Sequence, residues 1–183
     1  MAYGNYVRNP TWVDGSGGGT SIDAADLNAN DLGVFNAFYQ PCSRVTHNAA
    51  QAITTGTNTA LAFNTERFDQ AGNTTDTMHD TVTNNSRLTC RYAGVYQITG
   101  NIEWAGNATG DRSVGIRLNG TTFIGQERRV ASTTVTHEQF ISTLYAMAVN
   151  DYVELIVNQT SGGNLNVSQV ANISPEFMMV RVG

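Results

Sequence analysis

Apolar and polar residues alternate along much of the chain after residue 40. The segment 94–105 shows this most clearly, because its large apolar side chains occupy alternate positions on one face: Tyr96, Ile98, Ile102 and Trp104. A period of two predicts a β-strand with one face in a core. Segment 113–124 repeats the alternation around Asn119-Gly120, a dipeptide that favours a tight hairpin.

Two further segments carry apolar residues on both faces. In 138–149, Phe140, Leu144 and Ala146 share one face, and Ile141, Tyr145 and Met147 share the other. Segment 177–182, FMMVRV, is apolar almost throughout, which is typical of a central strand. One small sandwich core does not use two such strands fully, so the excess predicts a subunit interface at Ile141, Tyr145, Met147, Phe177 and Met179.

The composition supports a mainly β body. The chain contains 19 Asn, 23 Thr and 18 Gly but no Lys, and these turn-forming and β-branched residues favour short strands joined by frequent turns. We therefore expect an antiparallel sandwich or jelly roll.

Helical periodicity is confined to residues 20–39. Leu27, Val34 and Phe38 fall on one stripe there, and Pro41 ends the pattern. This predicts two parts, an N-terminal arm with a helix over 1–41 and a β domain over 42–183. The apolar stripe is expected to bundle three helices in a homotrimer.

Charge and local motifs exclude several classes of partner. The net charge is −5 without a basic cluster, so nucleic acid is not expected to bind. No apolar segment is long enough for a membrane helix or a cleaved signal peptide, so we expect no membrane partner. Cys42 and Cys90 have neither a metal-ligand nor a redox spacing, and two free thiols are favoured over a disulfide.

The β region resembles the globular-head domains of complement component q and their relatives in bacteria and phages, which share the tumour-necrosis-factor jelly roll. The resemblance covers about residues 42–183 and rests on an ordered set of motifs: Gly94-x-Tyr96, Leu118-Asn119-Gly120, Leu144-x-Ala146 followed by Asp151-Tyr152-Val153, and Phe177. It implies a homotrimer with both chain ends at its base and variable loops at the far end.

The opening segment resembles the N-terminal attachment segments of tail and fibre proteins of phages that infect Gram-positive bacteria. The residues that carry this resemblance are Trp12, Asp14, Gly15, Gly18, Gly19, Thr20, Ile22 and Leu27. Ser21 and Asn30 depart from the pattern, where proline and glutamate are usual. The resemblance implies a virion surface protein that is assembled in the bacterial cytoplasm, with Trp12 as the apolar anchor of the arm.

Candidate chemistry is sparse. No nucleophile motif or paired-acid signature selects a catalytic residue, so no enzyme activity and no cofactor are predicted. His137-Glu138 begins like a zinc-protease motif but lacks the second histidine and is expected to start a strand. Asp69, Asn73, Asp76, His79 and Asp80 supply polar ligands without a calcium-loop spacing, so a polar loop is favoured over a metal site.

Three functions remain open from the sequence. The first is a trimeric tail or fibre component that binds host cell-wall glycans through distal loops, with seven candidate ligand-binding residues: Asp69, Asn73, Asp76, His79, Asp80, Asn107 and Arg112. The second is a capsid decoration or head-fibre protein. The third is a bacterial binding module, which the arm argues against because a free-standing module needs no docking segment.

Overall fold

A computed structural model of the chain describes residues 40–72, 76–131 and 134–183. This part is built from twelve β-strands without a helix: β1 Cys42–Thr46, β2 Gln51–Ile53, β3 Thr59–Ala60, β4 Thr65–Gln70, β5 Arg87–Thr89, β6 Gly94–Trp104, β7 Asp111–Leu118, β8 Thr122–Val130, β9 His137–Met147, β10 Tyr152–Gln159, β11 Leu165–Val167 and β12 Glu176–Arg181. The predicted antiparallel β body is confirmed. No helix in these ranges is long and apolar enough to cross a membrane.

The strands form two antiparallel sheets that face each other. The first sheet has the order β2-β11-β6-β12-β1-β4, with β9 also paired to β6. The second has the order β3-β10-β7-β8, with β5 also beside β10. Because strands that are neighbours in space are distant in sequence, as with β1 and β12, the architecture is a jelly-roll sandwich.

The core lies between the inward faces of the two sheets. All four apolar residues predicted to share a face of β6 are fully buried there: Tyr96, Ile98, Ile102 and Trp104. The ring of Phe177 from β12 stacks on that of Phe63, with centroids 5.8 Å apart. At the β7–β8 hairpin, Asn119 and Gly120 both have positive φ, at 48° and 72°, as the dipeptide predicts.

Each sheet also holds one buried glutamate between arginines. In the first sheet, the carboxylate of Glu176 pairs with Arg44 and Arg67. In the second, Glu154 Oε2 accepts a hydrogen bond of 2.9 Å from Arg117, and its Oε1 accepts one from Ser86. These pairs satisfy carboxylates that would otherwise be costly to bury.

The two ends of the described chain meet at one end of the sandwich. The backbone N–H of Arg181 donates to the carbonyl of Pro41, and the N–H of Val95 donates to the carbonyl of Gly183. The loop 105–110, which follows β6, lies at the opposite end. Residues 1–39 are outside the described ranges, and with them lie the predicted arm, its anchor Trp12 and the helix stripe Leu27, Val34 and Phe38.

The loop that follows β4 departs from its predicted place. The candidate ligand-binding residues from Asp69 to Asp80 are predicted to lie on loops at the end opposite the chain termini, but Asp69 pairs with Ser43 beside the start of β1. The N–H of Thr89 then donates to the carbonyl of Met78, which ties the loop to β5. The loop therefore starts at the end where the described chain begins, and its residues Met78 and His79 hydrogen-bond to β4 and β5.

Candidate functional site

Asp69 anchors the loop that leads from β4 to β5. Its two carboxylate oxygens accept hydrogen bonds from the backbone N–H groups of Met78, at 3.2 Å, and His79, at 3.0 Å. Burial raises the pKa of Asp69 above its usual value, although these hydrogen bonds oppose the shift. Asp69 thus fixes the loop to the end of β4, and both of its carboxylate oxygens already accept hydrogen bonds from the backbone.

His79 and Asp80 also make contacts within this loop. The buried His79 ring places Nδ1 3.0 Å from Glu66 Oε1 and Nε2 3.2 Å from the carbonyl of Asn85. Asp80 Oδ1 accepts hydrogen bonds from the N–H groups of Val82 and Thr83, which lower the pKa of Asp80. His79 is therefore a structural residue, whereas the exposed Asp80 remains accessible to a ligand.

The predicted metal ligands do not come together around a common centre. Across residues 40–72, 76–131 and 134–183, no group of three or more His, Cys, Asp or Glu side chains is placed to hold a metal ion. Asp76 is exposed, and Asn73 lies outside the described residues.

Arg112 and Asn107 build the loop at the opposite end. The buried guanidinium of Arg112 donates to the carbonyls of Asn107 and Thr109, at 3.0 Å each, and to that of Asp111 at 2.9 Å. Burial lowers the pKa of Arg112. Trp104, beneath it, is fully buried and donates from Nε1 to Gln139. The prediction that Arg112 binds a ligand is therefore corrected, because backbone carbonyls of the protein itself accept its hydrogen bonds.

A polar pocket opens beside loop 76–86. Its volume is about 300 Å³, and its walls come from that loop, β5, the segment after β5 and the turn before β10. Ten residues line it: Met78, His79, Asp80, Thr83, Asn84, Arg87, Thr89, Arg91, Asn150 and Tyr152. Two of the predicted ligand-binding residues, His79 and Asp80, thus lie at one concave site.

The outward face of the first sheet carries an exposed apolar surface. Phe140 and Leu144 on β9 are 59% and 64% exposed, and the pairing of β9 with β6 places Val95 on the same face. Phe68 on β4 is 49% exposed and shares this face through its register with Arg44. We call Val95, Phe140 and Leu144 the β9 face, since β6, β12 and β1 lie between β9 and Phe68.

The residues predicted for a subunit interface lie mainly on the other face. Ile141, Met147, Phe177 and Met179 are buried in the core of a single chain, at 6% exposure or less, whereas Tyr145 is 36% exposed. The interface assignment of the four buried residues is therefore corrected. Both faces of β9 do carry apolar residues, but the face available to a partner is the one with Phe140 and Leu144.

Both cysteines are free thiols. Burial raises the pKa of the Cys90 and Cys42 thiols, and Cys90 Sγ donates to the carbonyl of Tyr92. Both are therefore expected to react slowly with thiol reagents.

Comparison with solved structures identifies the fold as the C1q/TNF-like jelly roll. The globular domain of zebrafish complement 1qA is 13% identical with a TM-score of 0.53, covering 78% of this chain and 98% of that one. Murine APRIL is 7% identical with a TM-score of 0.55, and the alignment covers 78% of this chain and 99% of that one. Eiger TNF from S. frugiperda is 11% identical with a TM-score of 0.57, covering 79% and 93%. No family model and no curated protein sequence matches the chain.

Sequence reasoning missed the five pocket residues that lie beyond residue 84: Arg87, Thr89, Arg91, Asn150 and Tyr152. They lie in two segments about 60 residues apart, so no local motif connects them. The buried ion pairs left a clearer signal, because Glu154 is the single charged residue in the apolar run 152–157. A lone charge in such a run indicates a buried partner of opposite sign.

Proposed function

We propose that this chain is a structural protein of a bacteriophage particle, held by its N-terminal arm and displaying its jelly-roll body as a homotrimer. The observation that carries the proposal is the β9 face, an apolar surface on a fold of the C1q/TNF type. The resemblance of the opening segment to phage attachment arms supports the viral assignment.

The trimer follows from the cost of leaving the β9 face in water. Phe140 and Leu144 lie four residues apart on one strand and project from the same side of the sheet. Burial of a large apolar side chain contributes about 1.5–3 kcal/mol, so contact between subunits along β9 stabilises the assembly. Proteins of this fold commonly assemble as trimers, which sets three as the expected number of chains.

We place the protein on the tail or a fibre, where recognition of host cell-wall glycans is the role of the displayed body. The support is the tail-type pattern from Trp12 to Leu27. A position on the capsid, as a decoration or head-fibre protein, is the second candidate, because the same arm and trimer serve equally well to ornament a shell.

The test is to locate the protein on purified particles and to remove the anchor. Immunogold labelling with an antibody against the body should mark the tail tip or fibres, and marking of the head would favour the capsid alternative. Trp12→Ala should abolish incorporation, because an aromatic anchor in a partner pocket contributes about 2–4 kcal/mol. Tyr6→Ala, outside the pattern, is the matched control. Normal occupancy of the Trp12 variant, or no label on any particle, would refute the proposal.

A further inference from the structure

The polar pocket combines two arginines with one carboxylate on a protein whose net charge is −5. Arg87 and Arg91 line it together with Asp80. Two other nearby carboxylates already have partners, since Glu154 lies between Arg117 and Arg87 and so balances one of these two charges, and Glu66 lies against His79. The pocket is therefore a local site of positive charge.

The Arg87 guanidinium is held in place but keeps hydrogen-bonding capacity. Its central carbon lies 4.0 Å from the centroid of the Tyr152 ring, and its Nε lies 3.7 Å from Glu154 Oε1, beyond hydrogen-bond distance. Its Nε is buried and has no hydrogen-bond partner within the described chain, but the side chain as a whole is 36% exposed, so the terminal N–H groups are the ones that can meet a ligand. Stacking on an aromatic ring fixes the plane of the guanidinium, which reduces the entropy lost when it binds a planar or tetrahedral anion.

Arg91 approaches the pocket from the segment after β5. Its Nε donates to the carbonyl of Thr77 at 2.6 Å, which anchors the side chain to the loop. Uncharged polar side chains complete the wall, from Thr83, Asn84, Thr89 and Asn150. Amide and hydroxyl groups of this kind bind the hydroxyl groups of small polar molecules.

We infer that this pocket binds a small hydroxylated molecule with a single anionic group, such as an acidic sugar residue or a glycerol phosphate unit. Arg87 and Arg91 bind the carboxylate or phosphate, and the threonine and asparagine side chains bind the hydroxyl groups. The volume of about 300 Å³ lies at the lower end for ligand sites and fits one such unit. The inference deepens the recognition role proposed above and rests on it only for the source of the ligand.

Asp80 allows a test in which removing a negative charge and removing a positive charge should change anion binding in opposite directions. Its carboxylate repels an anion at the pocket, but its Oδ1 also accepts the two backbone hydrogen bonds that shape residues 80–83. Asparagine retains an acceptor oxygen at this position and removes the charge. Asp80→Asn should therefore strengthen anion binding while Arg87→Gln and Arg91→Gln weaken it.

The experiment is isothermal titration calorimetry on the full chain with four organic probes: glucuronate, glycerol 3-phosphate, glucose and glycerol. At least one anionic probe should bind at about millimolar affinity, and at least about tenfold more tightly than its neutral counterpart. Each arginine substitution should weaken that binding by about tenfold, and Asp80→Asn should strengthen it a few-fold. The stronger anionic probe distinguishes a carboxylate ligand from a phosphate ligand.

Arg128→Gln on β8 is the matched control, because it removes a positive charge from an exposed strand position outside the pocket lining. Arg91→Gln keeps the test valid if Arg87→Gln fails to fold, since Arg91 makes no ion pair with a described carboxylate. Absence of binding by both anionic probes, equal loss in the Arg128 variant, or equal binding of inorganic phosphate alone would overturn the inference. The assay needs no phage particles, so its failure is distinct from a failure of the virion proposal.

Discussion

Leu144→Asp tests whether the β9 face holds the assembly together. Leu144 is 64% exposed in a single chain and its side chain points away from the core. The substitution leaves the inward face of β9 intact, and aspartate at an exposed strand position costs the fold little. Any large effect should therefore appear in association and not in folding.

The magnitude follows from the exposed part of the side chain. Full burial of leucine contributes about 1.5–3 kcal/mol, so burial of the exposed two-thirds contributes about 1–2 kcal/mol in each subunit. Three symmetry-related copies bring the loss to about 3–6 kcal/mol for the trimer, before the cost of desolvating aspartate is included. At 1.4 kcal/mol per factor of ten, the trimer dissociation constant should rise at least about a hundredfold.

The assay is multi-angle light scattering across a concentration series. The natural chain should elute at the mass of three 19.7-kDa chains, and the variant should elute as a monomer at micromolar concentration with unchanged circular dichroism. Val82→Asp is the matched control, because Val82 is 85% exposed on the loop between β4 and β5. A Leu144 variant that stays trimeric, or a natural chain that is monomeric with full β content, would refute the reasoning.

Two further predictions concern the interior. Glu176→Ala should lower the free energy of unfolding by about 2 kcal/mol in denaturant titrations. This is less than the roughly 3–5 kcal/mol for breaking a fully buried ion pair, because its two arginine partners are about one-third exposed and regain water. The exposed Glu138→Ala on β9 should stay within about 0.5 kcal/mol, and equal midpoints for both variants would contradict the ion-pair argument. In a Cys42→Ser background, Cys90 should resist a disulfide reagent at pH 8 until the protein is unfolded, because its raised pKa and burial keep it protonated and inaccessible. Rapid reaction of the folded variant would contradict this.

The sequence predicts the strands better than it predicts the surfaces. β6 and the hairpin at Asn119-Gly120 depend on local rules, since alternation places residues on a shared face and a tight turn needs residues that tolerate positive φ. For β9, alternation correctly sorted Ile141 from Leu144 into two faces, but it contains no information about which face meets the core.

The pocket could not be predicted from local sequence patterns, because its residues come from distant segments of the chain. Arg87 follows a long loop and Tyr152 starts a strand of the same sheet, and only the pairing of β5 with β10 brings them together. Arg112 was misassigned because polar residues in a predicted loop resemble ligand-binding residues whether or not the backbone occupies them. Its hydrogen bonds to the carbonyls of loop 107–111 depend on burial, which a linear pattern does not reveal.

The unpaired edge of β9 affects how the chain behaves during synthesis. The strand pairs with β6 along one edge, and within the described ranges no strand pairs with its other edge. On this edge the eleven-residue strand has backbone groups without a strand partner, although β8 lies beside part of it, where the Thr143 hydroxyl donates to the carbonyl of Ile124. Newly made chains are thus expected to aggregate through this edge unless another surface covers it during synthesis.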